Sequence, residues 1–452
     1  MDADLLAQYD GLRVPRYTSY PTAPHFTPTV DAGRYREWLA CLPSEAPLSL
    51  YLHLPFCESM CWYCGCNTRV VARYEPIAAY MESLNREIDM IADLLPQRMT
   101  VRHLHWGGGT PTMASSKDLR AAMDHLRARF DFAPDSERAI EIDPRTLTSE
   151  MVVALAESGV NRASLGVQDI NEDVQNAVNR IQPLDVTASA VNSLRAVGMT
   201  AVNFDLMYGL PQQTVEHCRA TAAAAADLRP DRLAVFGYAH VPWMKKHQKL
   251  INESALPDGP ERWRQFAAIA EVLTAAGYEM IGLDHFAKPD DPLAVAQRAG
   301  KLRRNFQGYT DDDAGVLIGL GASAIGALPQ GYVQNAVGTN DYTQAIAENR
   351  LPIARGLLLS DDDRMRRDVI IELMCALTVD LEDVARRHHC PDSVFDADLP
   401  GLDRMVKDGL ATIDGRRITV PPAARPLVRI AAAVFDRYLT TNADKPRHSR
   451  AI

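Results

Sequence analysis

The segment YLHLPFCESMCWYCGC, residues 51–66, decides how the rest of the chain is read. It holds Cys57, Cys61, Cys64 and Cys66, half of the 8 cysteines in the chain. The first three are spaced C-x3-C-x2-C, with Tyr63 just before the third and a strand-like run, Leu48 to Leu54, leading in. Three thiolates this close can wrap one metal cluster. A cubane iron–sulfur cluster takes four ligands, usually all cysteine. Three from this loop leave one iron open, and an open iron invites a small molecule with an amino and a carboxylate group to chelate it. Zinc would need a fourth ligand, usually from a second knuckle, but Cys41, Cys218, Cys375 and Cys390 are scattered singly. A disulfide framework does not suit a chain this long that opens without a secretory signal. The loop therefore predicts a [4Fe-4S] cluster on Cys57, Cys61 and Cys64.

Composition sets the outer bounds. A chain of 452 residues holds more than one domain, or one large α/β domain with an appendage. Hydrophobic residues make up 47%, ordinary for a globular protein. A formal net charge of −10 argues against a nucleic-acid footprint over the whole surface. The opening MDADLLAQYDGLRVPRYTSYPT lacks the apolar stretch of a secretory signal, and no run of 18 apolar residues occurs. A cytoplasmic monomer without membrane or nucleic-acid partners is expected.

Residues 48–240 alternate between two patterns. Strand candidates are SLYLHL, RHLHW, RAIEID, RASLGV, AVNFDLMY and RLAVFGY; helix candidates lie at 74–95, 116–130, 148–158, 183–198 and 213–228. Such alternation predicts βαβ units and a parallel sheet. Each strand ends in polar, glycine-rich or metal-binding residues: the cysteines, then Gly107–Thr112, Glu141 and Asp143, Gln168 and Asp169, Asp205, and Tyr238-Ala239-His240. In (β/α) barrels the active site sits at the carboxyl ends of the strands. The fold class expected is α/β: an incomplete (β/α)6 TIM-like barrel, open at one side for a large substrate. An N-terminal arm, residues 1–45, lies over the active site. The catalytic domain spans 46–355. A mostly helical, winged-helix-like domain follows at 356–452, with a hairpin turning at Asp414-Gly415 and a last helix from Arg425 to Tyr438. The winged helix is a fold and not a function; without a basic stripe, a lid or packing role is expected of it and DNA binding is not.

Several polar residues invite chemistry. Glycines at 107–109 let backbone approach a ligand closely, offering N–H and C=O groups to an amino-acid end. The G-K-[ST] ending of a phosphate loop is absent. Glu141 and Asp205 are costly to bury unpaired, and ribose hydroxyls or an ammonium group would satisfy them. Gln168 and Arg180 could orient a carboxylate or a second nucleoside; a helix ion pair is the plain alternative for Arg180. Cys66 is either a core thiol or a redox or proton-handling group.

The chain resembles the oxygen-independent coproporphyrinogen III oxidases of the radical S-adenosylmethionine superfamily. The carrying stretches are PRYTSYPTA (15–23), the cysteine segment (51–66), HWGGGTPT (105–112), EIDPR (141–145), NRASLGVQD (161–169), NFDLMYGLPQQT (203–214) and NFQGYT (305–310). The resemblance implies an oxidoreductase, a coproporphyrinogen dehydrogenase of haem synthesis. It would turn the ring A and ring B propionates of coproporphyrinogen III into vinyl groups through a 5′-deoxyadenosyl radical, giving protoporphyrinogen IX. It implies a cluster on Cys57, Cys61 and Cys64 and two S-adenosylmethionine molecules per chain. Lining their sites would be Tyr51, Tyr63, Gly108, Gly109, Thr110, Glu141, Gln168, Arg180, Asp205, Ala239 and Ile325. Cys66 and Tyr51 are the candidate catalytic residues, and a flavodoxin or ferredoxin is the expected electron donor. Arg16, Lys301, Arg303 and Arg304 are candidates for the substrate carboxylates. Gly237 departs from the asparagine expected there. The alternative is a haem-trafficking relative without decarboxylase activity, although such relatives generally lack the PRYTSYPTA arm and the CGC ending.

Overall fold

The computed structural model describes residues 5, 8, 9 and 11–439. Six strands follow the predicted order: β1 Leu48–Leu54, β2 Thr100–Gly108, β3 Asp131–Ile142, β4 Arg162–Gln168, β5 Ala201–Tyr208 and β6 Arg232–Gly237. Five of the intervening helices are α1 Glu75–Ala92, α2 Ser116–Arg129, α3 Ser149–Glu157, α4 Leu184–Ala196 and α5 Val215–Asp227, and α6 Gly259–Ala275 follows β6. Their starts are marked by side-chain caps: Ser115, Thr148 and Thr214 accept from the N–H groups of Asp118, Met151 and His217. The strands pair in parallel in chain order. In β1 only Tyr51 is less than fully buried, whereas β4 and β5 alternate buried with half-buried residues.

The sheet is wider than expected. After β7 Glu279–Ile281 and β8 His285–Ala287 come β9 Val316–Leu320, β10 Ile325–Leu328, β11 Gly331–Asn335 and β12 Ile353–Leu358. The full order is β12-β11-β10-β9-β1-β2-β3-β4-β5-β6-β8-β7. β9 pairs with β1 in parallel, so the parallel array has a seventh strand on the β1 side. The remaining additions are antiparallel. The bend predicted at 303–310 is a hairpin, Arg303–Asn305 with Gly308–Thr310.

The last part differs from expectation in two places. Its hairpin, Thr412–Asp414 with Arg417–Thr419, is joined by a third strand, Thr378–Asp380. The continuous helix expected from Arg425 to Tyr438 is instead a 3-10 turn, Pro422–Leu427, followed by a short helix, Val428–Ala433. Pro426 explains this, because proline supplies no N–H to an α-helical ladder. No helix among the described residues is long and apolar enough to cross a membrane.

Two large apolar clusters hold these parts. One lies between the sheet and its helices and contains Leu50, Leu52, Trp106, Ile140, Leu165 and Phe204. The other joins Tyr9, Val14, Tyr17 and Tyr20 of the N-terminal arm to Ile281–Tyr309 and to residues 365–435. The arm is also pinned by polar contacts. Tyr17 Oη donates to Asp436 at 3.0 Å, and Tyr332 Oη donates to the Tyr20 carbonyl at 3.1 Å.

A buried carboxyl staples α1 to the strands added beyond β1. Glu87 accepts from the Gly321 N–H at 2.6 Å, Asn335 Nδ2 at 2.6 Å and Tyr342 Oη at 2.7 Å. Burial pushes its pKa up to about 7 despite those three donors. The folded protein therefore holds a proton that the unfolded chain releases near 4.5, and its stability falls as pH rises from that value through about 7. Glu87→Gln should flatten this slope. Denaturant midpoints at pH 5 and pH 8 should show wild type losing stability against the variant as pH rises; parallel profiles would refute it.

Candidate functional site

Strand ends β1 to β5 meet around a cavity of about 150 Å³. Cys57, Cys61, Cys64 and Cys66 line it, with Tyr63, Gly108, Gly109, Thr110, Glu141, Gln168, Arg180 and Asp205. Twelve sequence-predicted residues thus share one space, and none of the four cysteines is in a disulfide. Three do not line it: Tyr51, Ala239 and Ile325.

Close backbone approach builds this mouth. A Cβ on Gly109 would sit 2.5 Å from the Phe56 carbonyl oxygen and 2.9 Å from Cys57 Sγ. One on Gly107 would sit 2.9 Å from both Glu141 Oε1 and Tyr51 Cε2. Only glycine lets β2 come this near the cysteine loop. The glycine N–H groups, expected to meet a ligand, are engaged within the protein. Gly108 donates to Glu141 Oε2 at 3.1 Å, Gly109 to the Leu54 carbonyl at 2.9 Å and Thr110 to the Phe56 carbonyl at 2.8 Å. They hold the two strand ends together instead.

Each of the three spaced sulfurs has donors around it. Thr68 Oγ1 donates to Cys57 Sγ at 3.1 Å. Arg180 Nη1 and Arg145 Nη2 approach Cys61 Sγ at 3.5 and 3.6 Å. The Cys66 N–H points at Cys64 Sγ at 3.4 Å. Hydrogen bonding from Cys66 holds the Cys64 thiol down at about 7 against burial, while burial pushes Cys57 up. The Cys66 thiol is raised, first by its bond to Cys64. Cys66 is exposed, which excludes the core-thiol reading. Among the described residues no three metal-ligating side chains close on one point.

Charge in the cavity is organised on Asp143. It accepts from Arg145 Nη2 at 2.6 Å and from Arg180 Nη1 at 3.3 Å. These two guanidiniums outweigh burial and hold Asp143 below the usual carboxylate range. Arg180 also donates to the Gly166 carbonyl at 2.7 Å, so it is fixed from three sides and is more than a surface helix pair. Burial first, and then the charge of Glu141, push Asp205 up to about 7. Gln168 holds a φ of +67°, unusual for a residue with a Cβ, as its strand turns into the loop.

Tyr51 sits behind the mouth. Its ring stacks on His105 with centroids 5.9 Å apart, and His105 Nε2 lies 3.2 Å from Glu141 Oε1. His53 Nε2 faces the Asn67 carbonyl at 2.9 Å and therefore donates. Its Nδ1 must then accept from Tyr51 Oη, at 3.0 Å. Burial, which keeps this imidazole neutral, agrees. The Tyr51–His53–Asn67 relay ties β1 to the far end of the cysteine loop. Ile325 lies on β10 against Gly319, the residue that pairs with Tyr51, and so is one strand further back. Ala239 lines a separate cavity beyond β5 and β6. It is linked to the first by Gln248, whose Nε2 donates to the Tyr63 carbonyl at 3.0 Å and the Ala239 carbonyl at 3.2 Å. Of the basic candidates, only Arg16 reaches that second cavity; Lys301 and Arg303 line another pocket with Asp380 and Asp383. Arg304 lies over the Tyr309 ring at 4.3 Å and donates to the Arg16 carbonyl at 3.3 Å. Sequence reading missed Arg145, Thr68, Ser164 and His53, although all but Thr68 lay within a quoted motif.

Residues 51–225 match the Radical SAM superfamily, which fits a parallel α/β sheet with three cysteines in the loop after its first strand. The relatives narrow this class. An oxygen-independent coproporphyrinogen III oxidase of Bradyrhizobium diazoefficiens is 52% identical over 452 residues, covering 100% of both chains. One of Pseudomonas aeruginosa is 42% identical over 100% of this chain and 98% of its own. The solved coproporphyrinogen III oxidase of Escherichia coli, described as a radical SAM enzyme, superposes with a TM-score of 0.89 at 39% identity, covering 95% of this chain and 100% of that one. The chain belongs to the oxygen-independent coproporphyrinogen III oxidase family, and is an oxidoreductase of the radical SAM class.

Three substitutions test the mouth. Gly109→Ala should push the cysteine loop away and lower iron content after anaerobic reconstitution. Cys66→Ser should keep the visible absorption of the cluster while altering turnover, whereas Cys57→Ser should lose iron. Iron loss from Cys66→Ser equal to that from Cys57→Ser would make Cys66 a ligand.

Proposed function

We propose that this protein carries out oxygen-independent oxidative decarboxylation of coproporphyrinogen III in haem biosynthesis. The single observation that carries this reading is the convergence of Cys57, Cys61 and Cys64 with the strand-end polar residues on one cavity, in a chain 52% identical along its full length to a named oxidase. On this reading the ring A and ring B propionates each lose a β-hydrogen, CO2 and one electron, leaving vinyl groups and giving protoporphyrinogen IX.

The thiols suit a cluster better than a single ion. One zinc ion needs its ligands at about 2.3 Å around one centre. A cubane takes each cysteine at a different iron, so its ligands spread around a volume. Cys57, Cys61 and Cys64 line one cavity, a setting that suits a group larger than one ion. With the cluster and S-adenosylmethionine bound, the site would supply a 5′-deoxyadenosyl radical. Cys57, Cys61 and Cys64 would hold the cluster, and Arg145 and Arg180 would donate to the Cys61 sulfur. Glu141 and Asp205 would accept from ribose hydroxyls or an ammonium group, with Tyr63, Gly108, Gly109, Thr110, Gln168 and Arg180 around them. A second S-adenosylmethionine would lie toward Ala239 and Ile325. Tyr51 would act by orienting Glu141 through His105, and Cys66 would move protons at the mouth. A flavodoxin or ferredoxin would supply the electron.

We read the sheet as an incomplete (β/α)6 barrel and the three-stranded C-terminal part as winged-helix-like. The division at 1–45, 46–355 and 356–452 is supported in part by the two apolar clusters. The second cluster also includes residues 281–309 and the first includes Val30, Tyr35, Trp38, Leu39 and Leu42, so packing crosses both boundaries.

Anaerobically reconstituted protein, given a low-potential reductant, S-adenosylmethionine and coproporphyrinogen III, should yield the divinyl product, CO2 and 5′-deoxyadenosine. Cofactor cleavage without CO2 release would refute the reading, and tight haem binding in its place would favour the trafficking alternative.

A further inference from the structure

The second cavity, about 410 Å³, gathers arginines from distant parts of the chain. Arg13 and Arg16 enter from the N-terminal arm, Arg262 from α6 and Arg429 from the short helix Val428–Ala433. Arg16 Nη2 donates to the Gly237 carbonyl at 2.6 Å, and Arg262 Nη2 donates to the Tyr238 carbonyl at 2.9 Å. Two guanidiniums are thus anchored on consecutive carbonyls where β6 ends.

Arg429 is only 7% exposed. Burial and the neighbouring charge of Arg16 lower its pKa to about 10, so it stays charged at neutral pH. Gathering cations costs free energy that anions relieve; Asp284 offsets part of it beside Arg16 and Arg429, and a bound carboxylate would add to that. Three carboxylates also line the cavity, each with a local donor. Glu253 Oε1 meets His240 Nε2 at 3.0 Å, Asp258 caps α6 through the Glu261 N–H at 2.8 Å, and Asp284 Oδ1 meets His285 Nδ1 at 2.7 Å. Tyr208, Trp243, Trp263 and Phe266 complete the walls, giving flat apolar area beside the charges.

Gly237 belongs to this cavity too. A Cβ there would sit 2.8 Å from Tyr208 Oη and 3.2 Å from Arg262 Nη2. The Tyr208 phenol and the Arg262 guanidinium therefore crowd the space a side chain at this position would need. This is how the chain accommodates glycine where asparagine was expected.

We propose that this cavity is the carboxylate clamp for the substrate, with Arg16, Arg262 and Arg429 holding propionate arms of a cyclic tetrapyrrole whose apolar face lies on the aromatic walls. The inference rests on the decarboxylase reading and gives it specificity residues. Planar guanidinium forks match carboxylates in two-bond geometry. The volume falls within the range of small-molecule sites, roughly 300–1,000 Å³. Gln248, bonded to both the Ala239 and Tyr63 carbonyls, sets this cavity beside the cysteine loop.

The test uses reconstituted holoenzyme and two readouts. One is fluorescence titration with coproporphyrin III, the oxidised tetracarboxylate, which needs no turnover. The other is KM for coproporphyrinogen III against KM for S-adenosylmethionine. Arg262→Gln should weaken coproporphyrin binding and raise the substrate KM by about 10- to 100-fold, the loss of one charge-assisted bond. Arg262→Lys should lose less. Arg429→Lys, which keeps the buried charge and loses the fork, should also weaken binding. Iron content should stay at the wild-type value, and KM for S-adenosylmethionine should rise far less than the substrate KM, since Ala239 on this wall is also placed beside the second cofactor. Unchanged coproporphyrin affinity in both Arg262→Gln and Arg429→Lys would overturn the clamp, as would an equal rise in both KM values. Should wild type decarboxylate while the variants bind normally, the clamp alone fails. Should wild type bind coproporphyrin through these arginines yet release no CO2, the clamp stands and the decarboxylase reading fails.

Discussion

The mouth of this sheet depends on how near the backbone leaving β2 comes to the backbone leaving β1. Side chains at Gly107 and Gly109 would overlap Tyr51, Glu141, the Phe56 carbonyl and Cys57. With glycine there, the strand ends cross-link through main-chain bonds from Gly109 to Leu54 and from Thr110 to Phe56. The cysteine loop is thereby held on the rigid end of the sheet even though it carries almost no regular structure of its own. Thr68 and Asn67, at the far end of the loop, are tied back to Cys57 and His53. A loop clamped at both ends and lined with thiols can hold a bulky inorganic group without folding around it first.

Electrostatics follow from that placement. Bringing five strand ends together concentrates Glu141, Asp143 and Asp205 in a small volume, where like charges oppose one another. Asp143 is stabilised as a carboxylate by two guanidiniums, whereas Asp205 is raised by burial and by Glu141. Adjacent acids thus hold opposite protonation tendencies, a pattern typical of sites that bind or move protons.

How much of this was legible in the sequence depended on whether the signal was local. The six strand ends and their helices were, because apolar runs alternate with amphipathic ones and each run stops at polar or glycine residues. The seventh parallel strand was not. VLIGLGASAIGAL is apolar throughout with three glycines, so periodicity could not reveal that it splits into parallel β9 and antiparallel β10. Thr378–Asp380 is too short to carry a pattern. In the site, residues that end strands were found, while Arg262 and Arg429 were not, since nothing near them in sequence marks the cavity they join; Thr68 and Ser164 stand beside or inside quoted motifs, but a hydroxyl alone does not mark a site. Lys301 and Arg303 line a different pocket from Arg16, because positive charge along a chain does not tell which pocket it faces.

The termini gain a function from their packing. Tyr9, Val14, Tyr17 and Tyr20 share one apolar cluster with Met365, Leu373, Val428 and Phe435, so the arm and the last part of the chain form one body beside the sheet. That body carries Arg16 on one side and Arg429 on the other, and both reach the cavity at the end of β6. A guanidinium on a long side chain loses conformational freedom when it binds, and a packed support reduces that loss by fixing its backbone beforehand. The C-terminal part therefore needs no nucleic acid to explain its presence. Its apolar core fixes where two cations stand relative to the strand ends.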